Sequence, residues 1–204
     1  MFTWYSRLLA GLHHTEGLPL LLLRLYLTPV LLQAGWNKYL HFEDTVAWFG
    51  DMDYGLGLPL PTLLAGLAIG AEIGGSLLLL FGLLTRLAAL SLAVTMLVAM
   101  LTVHAKNGWL AISDASSWLA DGTLFHSERV LAAPEKLQRA RELLQEHGNY
   151  DWLTESGNLV VLNNGIEFAA TYFVMLLCLL WFGGGRYLSL DYYLGNYRAQ
   201  KSRQ

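Results

Sequence analysis

Arg24 and Glu72 are charged side chains inside stretches of sequence that are otherwise almost entirely apolar. Charged groups in such stretches are costly to bury, so they commonly pair with one another or carry function. Small residues lie four positions before Glu72 and three and four positions after it, on the same helix face, and would let a second helix approach: Ala68, Gly75 and Ser76. We predict that Arg24 and Glu72 form a buried polar pair. The alternative is a pair that only fixes helix register, because buried ion pairs do not reliably add stability.

A second group of polar and aromatic residues lies where apolar stretches end or begin. His104 closes one stretch and Glu167 opens another, so they are the candidate catalytic residues, either as a proton-handling pair or as groups that hydrogen-bond a quinone carbonyl. The residues expected to bind such a cofactor are Trp36, Lys38, His104, Asn107, Trp109 and Glu167. The alternative is ordinary interfacial hydrogen bonding, with Asn163 or Asn164 capping the helix that follows.

Other redox groups have little support in the sequence. Only His104, among the histidines, lies within an apolar stretch, which argues against a haem held by two histidines. The sequence holds no closely spaced set of Cys and His, so we predict no metal site. Cys178 is the single cysteine, which excludes an internal disulfide and a C-x-x-C relay.

Four apolar stretches of spanning length must position these residues, at about 18–40, 60–82, 87–105 and 164–183. Of the 204 residues, 54% are hydrophobic and 14% are charged, whereas roughly a quarter are charged in a soluble domain. Backbone groups in lipid are satisfied only within helices or closed barrels, and the alternation typical of barrel strands is absent. We predict an all-α fold: a four-transmembrane-helix bundle that forms a single membrane domain over 1–204, surrounded by lipid.

The distribution of basic residues predicts the orientation of the chain in the membrane. Arg7, Arg86 and Arg186 lie before the first stretch, in the second connection and after the fourth stretch. Since Lys and Arg favour the cytoplasmic side, both termini should be cytoplasmic and the acidic insertion at about 106–163 should lie outside. The net charge of −3 and the lack of a basic block argue against a nucleic-acid partner.

The insertion between the third and fourth stretches contains a helical pattern. PEKLQRARELLQEHGNY places Pro134 at a first helical position and repeats Leu137, Ala140 and Leu144 on one face. We predict an extra amphipathic helix that covers the outer mouth of the bundle or lies on the membrane surface. A second interfacial helix is predicted over residues 1–14.

Several of these motifs resemble one family. R-x-Y-L-x-P-V…A-G-W-N-K, A-E-I-G-G-S-L-L-L-L-F-G-L-L-T-R and T-M-L-V-A-M-L-T-V-H…N-G-W are similar to the DoxX family of small bacterial membrane proteins. The resemblance covers all four stretches. The motif residues are Arg24, Gly35, Lys38, Glu72, Gly75, Arg86 and His104. It implies a four-helix bundle in the bacterial inner membrane with cytoplasmic termini. It also links the chain to quinone-coupled oxidoreductases, such as thiosulfate:quinone oxidoreductase, and to complexes for thiol or oxidant stress.

A finer resemblance is to the HvfX subgroup. It rests on H-G-N-Y-D-W-L, N-N-G-I-E-F-A-A and G-G-G-R-Y-L-S-L-D-Y, and it implies an association with small modified copper-binding peptides.

Three functions remain open at this point. The first is a quinone- or redox-linked membrane subunit that works with a protein partner. The second is a non-catalytic membrane anchor or assembly factor for a redox or peptide-modification system. The third is a metal-associated transport or tolerance protein. With four spans in one chain, transport would require a homo-oligomer.

Overall fold

The computed structural model describes residues 4–5, 11–12 and 15–201. The helices in chain order are α1 (Gly17–Leu40), α2 (Phe42–Gly50), α3 (Pro61–Phe81), α4 (Thr85–Ala99), α5 (Glu128–Leu131), α6 (Ala133–His147), α7 (Tyr150–Leu153), α8 (Glu167–Phe182) and α9 (Leu190–Lys201). The described part contains no strand, only isolated antiparallel bridges joining Ile112 to Leu162 and Asp121 to His126. The prediction of an all-α fold is confirmed over these residues. The helix predicted at 1–14 lies mostly outside them.

Three helical stretches are long and apolar enough to cross a membrane: Gly17–Leu40, Pro61–Phe81 and Thr85–Asn107. They match the predicted stretches 18–40, 60–82 and 87–105. The third consists of α4, a π-helical turn (Met100–His104) and a 3-10 turn (Ala105–Asn107). The fourth stretch, predicted at 164–183, forms α8, an apolar helix of 16 residues. Its length of about 24 Å is less than the ~30 Å hydrocarbon core of a bilayer.

The chain divides into two compact units, Met1–Leu97 with Tyr172–Gln204, and Val98–Thr171. In the first unit, α1, α3, α4 and the later part of α8 share one core. Its fully buried side chains include Leu27, Leu31, Leu79, Leu92, Leu176 and Leu179. Between helices in lipid, such contacts stabilise mainly through van der Waals packing, because the surrounding lipid tails are as apolar as leucine.

Two glycines allow the helices of the first unit to approach closely. A Cβ on Gly35 in α1 would lie 2.7 Å from Glu72 Cβ and 2.9 Å from Ile73 Cγ1 in α3. A Cβ on Gly75 in α3 would lie 2.9 Å from Leu92 Cγ in α4. The small residues around Glu72 therefore serve contacts with two neighbouring helices.

The boundary between α3 and α4 is fixed by main-chain and tail groups. Gly82 has a φ of 59°, and the N–H of Leu83 donates to Leu78 O at 3.0 Å, as in a Schellman C-cap. The Asp191 carboxylate then accepts the N–H groups of Leu84 and Thr85 at 2.7 and 2.8 Å. This carboxylate satisfies free N–H groups at the start of α4, which begins at Thr85 rather than at the predicted 87.

The second unit has a small core of its own, built from Leu110, Ala120 and Val130 with Trp109 and Leu119 packed against it. A helix, α6, occupies the position where sequence predicts one. Along α6, Ala133 is buried and Leu137, Arg141 and Leu144 are partly buried, whereas Ala140 is exposed. The residues turned toward the protein therefore recur at helical spacing, although Ala140 is not among them.

Candidate functional site

Arg24 is fully buried in α1 (0% exposed) and donates five hydrogen bonds to main-chain carbonyl oxygens. Nε donates to Leu79 O (2.7 Å), Nη1 to Gly184 O (3.0 Å) and Tyr187 O (3.1 Å), and Nη2 to Leu80 O (2.9 Å) and Leu188 O (2.7 Å). A guanidinium has five N–H donors, so this set uses all of them. Arg24 therefore has no donor left for a substrate or cofactor.

The acceptors around Arg24 come from two places. Leu79 and Leu80 belong to the last turn of α3, where carbonyls carry partial negative charge that a cation stabilises. The other carbonyls belong to the segment joining α8 to α9. Gly82 is required beside them, because a Cβ there would lie 2.7 Å from Arg24 Nη2. Arg24 thus joins α1, the end of α3 and the 183–189 segment.

Glu72 forms its ion pair with Lys38. Lys38 Nζ lies 2.8 Å from Glu72 Oε1 and 2.7 Å from Oε2, so it binds both carboxylate oxygens. The Glu72 side chain is 5% exposed and that of Lys38 is 28% exposed. The pair therefore neutralises a carboxylate that is almost completely buried between α1 and α3.

This geometry corrects the predicted pairing of Arg24 with Glu72. The helices α1 and α3 run antiparallel, with Gly35 beside Glu72 and Arg24 beside Leu79. Arg24 lies eleven residues before Gly35, about 16 Å along the helix, which exceeds the reach of an arginine side chain. Lys38 lies about one turn beyond Gly35. The bounds of the apolar stretches do not give this register, because the start of α1 and the end of α3 do not lie at the same level.

His104 lies in the π-helical turn of the second unit and is half-buried. Its Nδ1 is 3.0 Å from the main-chain oxygen of Asn164. Since a carbonyl oxygen only accepts, Nδ1 is the donor, and Nε2 is left as an acceptor on a neutral ring or a donor on a charged one. Among the described residues, no group hydrogen-bonds Nε2. Single π-helical turns frequently occur at functional sites.

A network of asparagines holds the chain around His104. Asn107 is 7% exposed; its Nδ2 donates to Asn164 O at 3.0 Å and its Oδ1 accepts from Arg129 Nη1 at 2.9 Å. Asn163 is 3% exposed, and its Nδ2 donates to Asn107 O at 2.7 Å and Leu110 O at 2.6 Å. Asn163 thus ties two chain segments together instead of capping α8. Sequence reasoning missed Arg129, for which the sequence gives no local signal.

Glu167 and Trp109 lie next to each other, because the N–H of Glu167 donates to Trp109 O at 3.0 Å. Glu167 Oε2 accepts the N–H of Ala111 at 2.8 Å. The Trp109 ring stacks on Phe125 with centroids 6.0 Å apart and planes 4° apart. In the described part of the chain, His104 and Glu167 bind main-chain groups rather than each other.

The six residues predicted to bind a cofactor divide between the two units. Trp36 and Lys38 belong to the first, and Trp36 is 51% exposed and packs against Tyr39. The other four belong to the second. Lys38 and Asn107 use their polar atoms in the contacts above. His104 Nε2 and Glu167 Oε1 have no hydrogen bond to the described residues, and neither do the indole N–H groups of Trp36 and Trp109.

Metal-ligating side chains do not cluster in the part of the chain that the structure describes: no group of three or more His, Cys, Asp or Glu is placed to hold an ion. Cys178 is a free thiol that is partly buried.

Residues 19–105 match the family model for DoxX. The matched region is less than half of the 204-residue chain. It contains all but the first two residues of α1, then α2 to α4 and the π-helical turn that follows. Arg24, Lys38, Glu72 and His104 all fall within it, whereas Asn163 and Glu167 lie beyond it.

Curated relatives match over a similar length. An uncharacterized protein of Haemophilus influenzae (strain ATCC 51907 / DSM 11121 / KW20 / Rd) is 32% identical over 98 residues, covering 46% of this chain and 62% of the relative. A Bacillus subtilis (strain 168) protein named "Putative oxidoreductase CatD" is 31% identical over 94 residues, covering 46% of this chain and 66% of the relative. The chain thus spans less than two thirds of the length of either relative. No solved structure matches the chain.

Proposed function

We propose that this chain is a DoxX-type membrane protein of the bacterial inner membrane, with four spans, both termini cytoplasmic and the 106–163 segment outside. The DoxX match over 19–105 and three helices of spanning length support this proposal. The fourth span would be α8, whose 16 residues need flanking residues or local thinning of the bilayer to cross it.

We further propose that the chain is the quinone-binding subunit of a redox system and works with a protein partner. The observation that carries this proposal is the geometry of His104: Nδ1 is held by Asn164 O, and Nε2 is left for a ligand. The name of the Bacillus subtilis relative points to the same class of chemistry for that protein. A quinone, when bound, would supply reversible transfer of two electrons and two protons.

The residues that would hold this ligand belong to the second unit. His104 Nε2 would hydrogen-bond a ring carbonyl and act toward it as a general acid or base. Glu167 Oε1 is the second group able to accept a proton. Asn107, Asn163 and Arg129 would act as positioning residues, because they hold the segments that carry His104 and Trp109.

The test is quinone binding by the full chain purified in detergent. Extraction followed by chromatography detects quinone that co-purifies, and titration with a short-chain quinone, followed by tryptophan fluorescence, gives a Kd. We expect His104→Ala to weaken binding about tenfold, as for the loss of one buried hydrogen bond, and Glu167→Gln to weaken it as well. His147→Ala is the matched control, because His147 is an exposed histidine.

Two results would contradict this proposal. One is that the purified chain neither carries nor binds quinone. The other is that His104→Ala and His147→Ala bind it equally well.

A non-catalytic anchor or assembly factor is the second candidate. The observation that favours it is a groove of about 730 Å³ between α6 and residues 112–116, lined by Leu137, Val160 and the partly buried Arg141. A partner would dock through α6, the predicted amphipathic helix. Deleting 130–150 should then abolish recovery of the partner, whereas Glu72→Gln should change stability alone. The HvfX-like link to copper-binding peptides, metal transport and a homo-oligomeric state stay predictions.

A further inference from the structure

A cavity of about 1120 Å³ lies in the first unit, where the start of α1, the connection between α3 and α4, and the end of α8 meet. Its charged lining residues are Arg86, Arg186, Glu16 and Asp191. Basic residues in these three places are the ones that predict the cytoplasmic side, so the proposed topology puts the cavity at the depth of lipid headgroups.

Both arginines keep donors available. Arg86 is exposed, and its Nη2 donates to Trp181 O at 3.1 Å. The Arg186 guanidinium lies 5.0 Å above the Tyr187 ring, and its Nη2 is 3.0 Å from Tyr187 Oη. Arg186 Nε is buried and has no hydrogen-bond partner within the described residues. Neither arginine forms an ion pair with a described residue, so their charges are available to an anion.

Thr85 adds a second unsatisfied group to the same cavity. It is fully buried (0% exposed), and its Oγ1 has no partner in the described part of the chain. A buried hydroxyl without a hydrogen bond is destabilising, so a bound acceptor would recover stability. Phosphate oxygens are acceptors of this kind.

The carboxylates in the cavity are already engaged. Both Asp191 oxygens accept main-chain N–H groups, from Leu84 and Thr85. Glu16 takes part in another interaction. The contacts of Asp191 hold its carboxylate at the start of α4 and occupy both of its oxygens, so the two arginines are the charged hydrogen-bond donors that the cavity offers to a ligand.

Apolar side chains border the same cavity. Leu84, Leu87 and Phe182 line it and are 53%, 61% and 71% exposed. A ligand that covers both the arginines and these side chains must have an anionic head and an apolar body. A free inorganic anion would satisfy the first requirement alone.

We propose that this cavity binds the phosphate group of an anionic phospholipid, with the acyl chains along Leu84, Leu87 and Phe182. Guanidinium forks bind phosphate oxygens in pairs, and basic pockets between membrane helices on the cytoplasmic side suit anionic headgroups. A zwitterionic lipid carries no net negative charge for the two arginines to attract. The proposal rests on the membrane topology proposed above and not on quinone binding.

The experiment is native mass spectrometry of the full chain, delipidated in detergent and titrated with one ligand at a time. Phosphatidylglycerol is the anionic lipid, phosphatidylethanolamine the zwitterionic control and inorganic phosphate the soluble source of the same group. We expect wild type to retain phosphatidylglycerol in preference to phosphatidylethanolamine. Arg186→Gln and Arg86→Gln should each weaken that binding about tenfold, as for the loss of a charge-assisted contact. Arg139→Gln is the matched control, because the Arg139 side chain is 74% exposed on α6.

Arg86 is exposed, so Arg86→Gln should keep its fold even where Arg186→Gln does not. Competition by phosphate with no preference between the lipids would support the anion site and assign it to a soluble ligand. Equal retention of the two lipids without competition by phosphate would overturn the proposal, as would unchanged binding in Arg86→Gln. Quinone binding is measured separately, so failure of one proposal is distinguishable from failure of the other.

Discussion

Replacing Arg24 by methionine removes every donor that binds five main-chain carbonyls in the first unit. Interhelical hydrogen bonds in membrane proteins contribute on average about 0.6 kcal/mol, with a maximum of about 1.7 kcal/mol. For the five bonds of Arg24, this gives a loss of roughly 3–8 kcal/mol, out of a total of about 5–15 kcal/mol for a folded protein. Arg24→Lys keeps three donors on a flexible stem, so it should lose about half as much.

The assay is thermal unfolding of the detergent-purified chain. Each kcal/mol of lost stability lowers Tm by about 2–4 °C. A central loss of about 5 kcal/mol should therefore lower the Tm of Arg24→Met by roughly 10–20 °C, and the Tm of Arg24→Lys should lie between those of Arg24→Met and wild type. Arg86→Met is the matched control, because Arg86 is exposed. The reasoning would be refuted if Arg24→Met unfolded within 3 °C of wild type (roughly 1 kcal/mol). Rescue of Arg24→Met by Glu72→Gln would also refute it, since rescue requires that the two charges face each other.

Two further predictions concern contacts between α1 and α3, with the same unfolding assay. Lys38→Met should destabilise the chain by about 3–5 kcal/mol because it leaves the Glu72 carboxylate buried and unpaired, and adding Glu72→Gln should recover part of the loss. A coupling energy below about 0.5 kcal/mol in this double-mutant cycle would contradict the ion pair. Gly35→Ala should cost about 1–3 kcal/mol, because its Cβ would lie 2.7 Å from Glu72 Cβ. Gly70→Ala, with nothing within 4 Å of its Cβ, should stay near wild type, and equal losses in the two variants would contradict the close approach at Gly35.

The bounds of α1 and α3 follow from the sequence almost to the residue. Lipid requires a continuous helix, so the apolar runs at 18–40 and 60–82 determine Gly17–Leu40 and Pro61–Phe81. The start of α4 did not follow, because it depends on the carboxylate of Asp191, more than 100 residues away in the chain. Local patterns carry no information about such a contact.

The partners of the buried charges were harder to predict than their burial. Sequence correctly indicated that Arg24 and Glu72 avoid solvent, at 0% and 3% exposure. The predicted pairing assumed that a buried cation needs a carboxylate, whereas the hydrogen-bond donors of Arg24 are satisfied by main-chain carbonyl oxygens. The signal that could have indicated this is glycine: a Cβ on Gly82 would lie 2.7 Å from Arg24 Nη2, and Gly184 supplies one of the accepting carbonyls. Predicting the partner of Glu72 requires the register between α1 and α3, which the close contact at Gly35 determines.

Family similarity and candidate chemistry overlap in this chain only at His104. Within the DoxX match over 19–105, Arg24, Lys38 and Glu72 have their polar groups engaged in holding helices together. In this chain, these residues of the matched region therefore serve as framework. His104 lies at the end of the match, and Asn164, which orients its ring, lies beyond it. If His104 binds a ligand, the specificity must come from residues 106–171, because these supply Asn164, Trp109 and Glu167. Substitutions that distinguish the proposed functions should therefore be made at His104 and in this segment, with changes at Arg24 and Glu72 as controls for stability.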